Sequence, residues 1–268
     1  MLCFSVSGYT QSSSNLLNGI LPLLLDCSGS NCPVDIRSRH RTVFYNTPPL
    51  NPPNGYWEYL PEDYDDPAES PLLIFYHGIA QNGDGSSDLG LLLRHGPPRL
   101  INENNWDNEY PFVVLSPQHN GLFCPSANEV NNFIQFAKTQ YDIDEQRIYL
   151  TGLSCGAIGI WSYLGNFLNN DVAAAVPIAG NGVSAWNSRG CDLTAINICA
   201  FHGDADPTVP VSGTNVPMDG MAACDPGTGE QIKIIYPGVE HDSWTQTYDG
   251  SAGHDIYEWM LGKSLPVP

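Results

Sequence analysis

Ser154 lies in a glycine-rich pattern that could make it a nucleophile. The residues from Gly152 to Gly156 read G-L-S-C-G and match the pattern G-x-S-x-G. The apolar run Ile148 to Thr151 precedes them, and Ala157 to Leu168 follows with the composition of a buried helix. Between a strand and a helix, this pattern makes a tight turn that presents the serine hydroxyl at the edge of a sheet. We therefore expect Ser154 to attack a carbonyl carbon; the alternative is an ordinary glycine-rich turn.

A serine hydroxyl is a poor nucleophile without a general base. Three histidines follow Ser154 in the chain: His202, His241 and His254. With this type of turn the chain order is nucleophile, acid, then base, so the base should follow the last strand. His241 has that position, whereas His202 ends an earlier strand and His254 begins the terminal helix. We expect His241 to be the base.

The acid that orients the base should lie in the loop after the preceding strand. The segment from His202 to Pro210 reads H-G-D-A-D-P-T-V-P and offers Asp204 and Asp206. A carboxylate there would hold the imidazole in one tautomer and stabilise the imidazolium. Spacing alone does not choose between the two. The alternative role for Asp204 is a cap on backbone N–H groups of its own loop.

Acyl transfer also needs donors for the oxyanion that develops on the carbonyl oxygen. One donor should be the backbone N–H of Cys155, the residue after the nucleophile. The other should come from the loop His77 to Gly83, which follows an earlier strand. Ile79 is the expected donor in that loop, and Ala80 is the alternative.

These residues need a sheet that brings the ends of several strands together. Short runs that are apolar at every position are typical of strands buried on both faces of a parallel sheet. Such runs are 72–76, 112–115, 148–151, 173–178, 196–201 and 232–236. Residues 41–46 and 56–60 read as two early strands. Helical patterns cover 130–141, 157–168 and 256–261. The alternation predicts an α/β fold: a single domain over 41–268 with a doubly wound, mostly parallel sheet flanked by helices. Residues 1–40 are predicted to be an irregular extension, and ligands should bind at the carboxyl ends of the strands.

Composition excludes several classes of function. The chain has 268 residues and a net charge of −19, which repels the phosphate backbone and argues against nucleic-acid binding. No apolar run approaches the roughly 20 residues of a membrane-spanning helix. No clustered ligand spacing for a metal appears, so neither a metal nor another cofactor is expected.

Eight cysteines are many for a cytosolic enzyme and favour an oxidising compartment. Cys27 and Cys32 are the pair most suited to a disulfide, and free buried thiols are the alternative. We expect Cys155 to be a small buried residue, with a disulfide as the alternative. The segment Met1 to Asp26 has no basic start and no clean cleavage site, yet the cysteines favour a secreted or periplasmic protein.

Several motifs together resemble one family. Five segments are similar to segments of α/β-hydrolase serine esterases. They are L-P-x-x-Y at 60–64, the strand ending in His-Gly at 71–78, the segment 94–98, G-x-x-D-x-x-V-P at 203–210 and H-x-x-W at 241–244. The resemblance covers 56–261 and includes the feruloyl esterase and polyhydroxybutyrate depolymerase-like group and the phospholipase/carboxylesterase group. It implies the α/β-hydrolase fold and a triad of Ser154, Asp206 and His241, which selects Asp206 over Asp204. Two departures concern the oxyanion donors: members often have more glycine where Ile79 stands, and larger residues where Cys155 stands.

Substrate contacts should come from the loops at the carboxyl ends of the strands. Gln118, His119, Trp186 and Trp244 are the candidates, because aromatic walls suit an acyl or aryl group. The alternative is that both tryptophans only pack under their loops. No long lid separates Ser154 from Asp206, so we expect an open site.

The substrate is expected to be a short-chain or aryl carboxylic ester, either a small molecule or linked to a polymer. The other hypotheses are a feruloyl or acetyl-xylan esterase, a polyester depolymerase, a serine peptidase, and a binding module without catalysis.

Overall fold

A computed structural model of the chain describes residues 34–65, 69–167, 171–225 and 227–266. The Cys27–Cys32 pair and residues 1–33 of the predicted extension lie outside the described residues. From Asp35 onward the chain forms one compact unit.

Eight strands of the described residues form one sheet. They are β1 (His40–Val43), β2 (Tyr56–Tyr59), β3 (Ser70–Tyr76), β4 (Val113–Pro117), β5 (Ile143–Leu153), β6 (Ala174–Ile178), β7 (Asn197–Gly203) and β8 (Gln231–Tyr236). Their order is β1-β2-β4-β3-β5-β6-β7-β8. Strand β2 is antiparallel to both of its neighbours, and β3 to β8 are parallel. The predicted fold class, a mostly parallel doubly wound sheet, is confirmed.

Seven α-helices flank this sheet within the described part of the chain. They are α1 (Gly96–Asn102), α2 (Ala127–Gln140), α3 (Cys155–Asn166), α4 (Val183–Arg189), α5 (Ser212–Ala222), α6 (Trp244–Tyr248) and α7 (Ile256–Leu261). The sequence patterns predicted α2, α3 and α7, although Leu168, the predicted end of α3, lies outside the described residues. The other four helices are short or interrupted by glycine and proline, so they lack a clear periodic pattern.

Successive residues of β3 pack into different cores, which explains why the whole strand is apolar. Leu72 and Ile74 belong to one buried cluster, together with Phe133 of α2. Leu73 and Phe75 belong to a second cluster. Because neighbouring side chains of a strand point to opposite faces, a sheet covered on both faces needs apolar residues throughout.

The turn between β5 and α3 packs directly on the end of β3. A Cβ atom on Gly152 would lie 2.7 Å from the carbonyl oxygen of Tyr76, and one on Gly156 would overlap the same carbonyl group. Between the two glycines, Ser154 has φ 50° and ψ −115°, a conformation that is rare outside glycine. The two glycines are therefore needed for steric reasons, and the contact with β3 holds Ser154 in this conformation.

Two disulfides occur among the described residues, Cys124–Cys155 and Cys191–Cys224, and Cys199 is a free buried thiol there. Cys155 is buried, as expected, but it forms a disulfide, which was its alternative role. The segment before α2 packs closely on the first turns of α3, where a Cβ on Gly159 would lie 3.0 Å from the Pro125 carbonyl oxygen. This approach brings the Cα atoms of Cys124 and Cys155 to 4.9 Å, a separation that a disulfide can span.

We expect Gly156→Ala to lower the free energy of unfolding by about 3 kcal/mol or more, because a methyl group there must displace the backbone of β3. Urea denaturation followed by tryptophan fluorescence measures the change. Gly90→Ala is the matched control, because a Cβ at Gly90 meets no atom within 4 Å. Equal stability of the two variants would contradict the steric account of the turn.

Candidate active site

The hydroxyl of Ser154 meets the side chain of His241 at the carboxyl edge of the sheet. Ser154 follows β5, and His241 lies in the loop that follows β8. The Nε2 atom of His241 lies 2.9 Å from Ser154 Oγ, which is hydrogen-bond distance. The imidazole is 22% exposed, so the pair is open to a ligand from one side.

Asp206 holds the other nitrogen of the same imidazole. Its Oδ2 atom lies 2.7 Å from His241 Nδ1, and its Oδ1 atom accepts the backbone N–H groups of Thr208 and Val209 at 2.8 and 2.9 Å. Burial alone would raise the pKa of Asp206, but the hydrogen bonds from His241, Val209 and Thr208 outweigh burial, and the pKa is lowered. An ionised Asp206 can only accept, so His241 carries its proton on Nδ1 and leaves Nε2 to accept from Ser154.

Asp204 does not contact the imidazole. Its Oδ1 atom accepts the N–H of Gly238 at 2.6 Å, and its own N–H donates to the carbonyl of Tyr236 at 3.1 Å. Asp204 therefore acts as a cap, but on the turn after β8 and not on its own loop as its alternative role required. It ties the loop of Asp206 to the loop that carries His241.

Two backbone N–H groups flank Ser154. Cys155 begins α3, and the first N–H groups of a helix have no partner within it. On the other side, a Cβ on Gly78 would lie 3.7 Å from the Cβ of Ser154, which brings the Gly78–Ile79 turn beside the hydroxyl. In the described residues, the Ile79 N–H donates to no other backbone group. Both expected oxyanion donors are thus adjacent to Ser154.

Gln118 and His119 lie under the loop that carries Ile79. The Gln118 side chain is fully buried; its Nε2 donates to the carbonyls of Gln81 and Asp88, and its Oε1 accepts from the Gly85 N–H. His119 is also buried, and its Nδ1 lies 3.1 Å from Glu129 Oε1. Gln118 supports this loop through its side chain, and His119 through its backbone carbonyl, which accepts the Gly83 N–H at 3.0 Å. Neither side chain lines an open surface.

The ring of His77 stabilises the same loop through two hydrogen bonds. Its Nδ1–H donates to the Gly78 carbonyl at 2.7 Å, and its Nε2 accepts the N–H of His119 at 2.9 Å. Burial lowers the pKa of His77 to about 4. The ring is therefore neutral at physiological pH, which these two hydrogen bonds require.

The two tryptophans have different surroundings. Trp244 packs edge-on against His241, with ring centroids 5.0 Å apart, and its Nε1–H donates to His95 Nδ1 at 3.3 Å. Trp186 packs into a core cluster and against Gly220 of α5, as its alternative role required. His95 was not selected from the sequence as a site residue, although it lies in a segment that carried the family resemblance.

Three large apolar side chains are exposed at the site. Ile79, Leu122 and Phe123 are 54%, 86% and 81% exposed, and we call them the apolar rim. The Cys124–Cys155 disulfide ties the rim loop to the residue after Ser154, and Asn82 Nδ2 donates to the Gly121 carbonyl at 2.6 Å. Exposed apolar side chains on a loop held at two points are typical of a contact surface. Sequence reasoning missed this rim, because exposure depends on the tertiary structure.

Neither a metal site nor a membrane-spanning helix occurs among the described residues. No group of three or more His, Cys, Asp or Glu side chains in that part of the chain could hold a metal ion. Likewise, none of its helices is both long enough and apolar enough to cross a membrane.

We expect the free energy of unfolding of His77→Gln to depend less on pH below neutrality than that of the wild-type protein. Because the pKa of His77 is about 4 in the folded protein, against about 6.5 for an unperturbed histidine, the unfolded chain binds the proton more readily. Stability from neutral His77 is complete above pH about 6.5 and is lost as the pH falls towards 4. Glutamine does not titrate and can still accept the His119 N–H.

Urea denaturation of both proteins between pH 4 and 8 measures this difference. The comparison at pH 8, where His77 is neutral in both states, isolates the packing cost of glutamine. Curves that stay parallel down to pH 4 would contradict the expectation.

Comparisons with known proteins agree with this fold. No family model matches the chain, and no curated protein matches it by sequence. The crystal structure of a thermostable esterase is similar over 86% of this chain and 64% of its own, with 26% identity and a TM-score of 0.67. The chain therefore spans less than two thirds of that esterase.

Two further structures are similar over nearly their whole length. The apo form of Thermogutta terrifontis esterase 2 covers 85% of this chain and 97% of its own, with 14% identity and a TM-score of 0.60. Acetyl xylan esterase from Aspergillus awamori covers 79% and 98%, with 16% identity and a TM-score of 0.52. At these identities the likeness concerns the fold. The chain has the α/β-hydrolase fold and resembles the esterases of that fold.

Proposed function

We propose that this protein is a serine carboxylesterase that hydrolyses short-chain or aryl carboxylic esters. The observation that carries the proposal is the continuous chain of contacts from Ser154 Oγ to His241 Nε2 at 2.9 Å and from His241 Nδ1 to Asp206 Oδ2 at 2.7 Å. Nucleophile, base and orienting acid in this geometry are the parts that acyl transfer needs.

The reaction has two halves. Ser154 Oγ attacks the ester carbonyl while its proton passes to His241 Nε2, and the N–H groups of Ile79 and Cys155 stabilise the oxyanion. The intermediate collapses, and the alcohol leaves with the proton from His241. Water then attacks the acyl-enzyme, with His241 again accepting a proton, and releases the carboxylic acid. Asp206 stabilises the imidazolium that forms in both halves.

The apolar rim favours the proposal that the substrate carries an apolar group. Its side chains lie on segments joined to Ser154 by the Gly78–Ile79 turn and by the Cys124–Cys155 disulfide, and Trp244 packs against His241. An ester with an aliphatic or aryl group would cover side chains that otherwise face water. The similar structures, which are esterases and include an acetyl xylan esterase, also favour ester substrates.

The two disulfides support a protein that folds in an oxidising compartment, outside the cytosol. We therefore extend the proposal to a secreted or periplasmic esterase.

The first test is hydrolysis of p-nitrophenyl esters from acetate to long chains, with methyl ferulate beside them. We expect turnover that Ser154→Ala reduces by at least about 10⁴-fold, because the acyl-enzyme cannot form. Circular dichroism checks that the variant is folded. Comparable activity of Ser154→Ala and the wild-type protein would overturn the triad, and a wild-type protein inert on every ester would overturn the proposed function.

A second prediction concerns the rim. We expect Leu122→Ser/Phe123→Ser to reduce kcat/KM about 10-fold or more for p-nitrophenyl hexanoate and methyl ferulate, because two apolar contacts contribute roughly 1–3 kcal/mol. The value for p-nitrophenyl acetate should change less than about twofold.

The matched control for the rim is Phe44→Ser/Leu50→Ser, which removes two exposed apolar side chains from another loop. It should leave the whole series unchanged. A uniform loss on every ester in the rim variant would point to damage to the turn instead of lost substrate contact.

A further inference from the structure

His202 is a buried histidine that the proposed reaction does not use. It lies near the end of β7, four residues before Asp206, and its side chain is 0% exposed. Its Nε2 atom lies 2.9 Å from the Val209 carbonyl oxygen and 3.2 Å from Asp206 Oδ2. Its Nδ1 atom lies 2.8 Å from the hydroxyl of Thr214. Each ring nitrogen therefore has a polar partner.

These partners determine where the ring carries its proton. The Val209 carbonyl and the ionised Asp206 carboxylate can only accept, so Nε2 must be the protonated nitrogen. It shares this N–H between the two oxygens. The Thr214 hydroxyl, which can rotate, is then free to donate to Nδ1. Orientation and tautomer of His202 are thus set by the protein and do not depend on a ligand.

The Asp206 carboxylate consequently has donors on both oxygens. Its Oδ1 atom receives the N–H groups of Thr208 and Val209, and its Oδ2 atom lies between His241 and His202. The backbone donors alone hold only Oδ1. The N–H of His202 restrains Oδ2, the oxygen that faces His241, and so prevents rotation of the carboxylate away from it.

We infer that His202 is a positioning residue, whose Nε2–H holds Oδ2 of Asp206 in line with His241 Nδ1. The kinetic consequence rests on the proposed function, whereas the hydrogen bond itself exists in the resting protein. If the carboxylate turns, the imidazolium that forms in the transition state loses part of its stabilisation, while the binding of an ester does not change.

The kinetic test compares two substitutions at His202. His202→Met removes the N–H at similar volume, and His202→Gln returns an N–H donor of comparable reach. For p-nitrophenyl acetate, we expect His202→Met to reduce kcat about 10- to 100-fold with KM within about twofold, the size of one hydrogen bond to a charged group. His202→Gln should recover most of the loss. His40→Met, on β1 at the far edge of the sheet, is the control and should keep the wild-type kcat.

The second readout needs no turnover. The proton of the His241–Asp206 hydrogen bond should give a low-field resonance in the proton NMR spectrum of the resting protein. We expect this resonance to shift in His202→Met, to return in His202→Gln and to stay in place in His40→Met. A role in packing alone would lower the melting temperature without moving this resonance or kcat.

A His202→Met protein with wild-type kcat and an unmoved resonance would overturn the inference. Should that variant fail to fold, Thr214→Val replaces it, because it removes the partner of Nδ1 and leaves the ring of His202 held at Nε2 alone. An unmoved resonance and an unchanged kcat in that variant would also overturn the inference. A wild-type protein that is inert on every ester, yet shows the resonance and its shift, would refute the proposed function and retain the positioning role.

Discussion

The contact between the end of β3 and the β5–α3 turn is the constraint on which the site depends. No side chain fits between Gly156 and the backbone of Tyr76, so the two segments meet at backbone distance. This contact keeps Ser154 at a positive φ, at the start of α3, and brings the Gly78–Ile79 turn beside it. The positions of the proposed nucleophile and oxyanion donors are thus consequences of a single steric fit.

The proposed acid, Asp206, and the proposed base, His241, are joined by a second close fit. A Cβ on Gly203 would overlap the carbonyl group of Val239, so the loops after β7 and β8 also meet at backbone distance. Asp204 caps the turn at Gly238, and the Ala205 N–H donates to the Val239 carbonyl at 3.1 Å. Because these loops brace one another, the backbones that carry the carboxylate and the imidazole are held together, and the side-chain hydrogen bond from His202 acts on top of this. In the proposed reaction, part of the preorganisation therefore comes from backbone contacts of the fold itself.

Much of this arrangement follows from local signals, and the rest depends on distant contacts. Runs such as 72–76 identify buried strands, because a sheet covered on both faces leaves no place for polar residues. The chain order and the position of His241 after the last strand identify the base. The Cys124–Cys155 disulfide could not be inferred, since it requires the approach of α2 to α3. Gln118 was expected to contact substrate, but its partners are backbone groups at 81, 85 and 88, which no local pattern indicates.

Cys199 affects how reliably the two disulfides persist. Exchange between disulfides requires a thiolate, and burial of Cys199 in β7 raises the pKa of its thiol to about 12. At neutral pH almost none of this sulfur is ionised, and the side chain is buried. Cys199, the free cysteine among the described residues, is therefore unreactive while the sheet is intact. A disulfide that includes Cys199 can form only when β7 opens, so such a disulfide would record past unfolding of the protein.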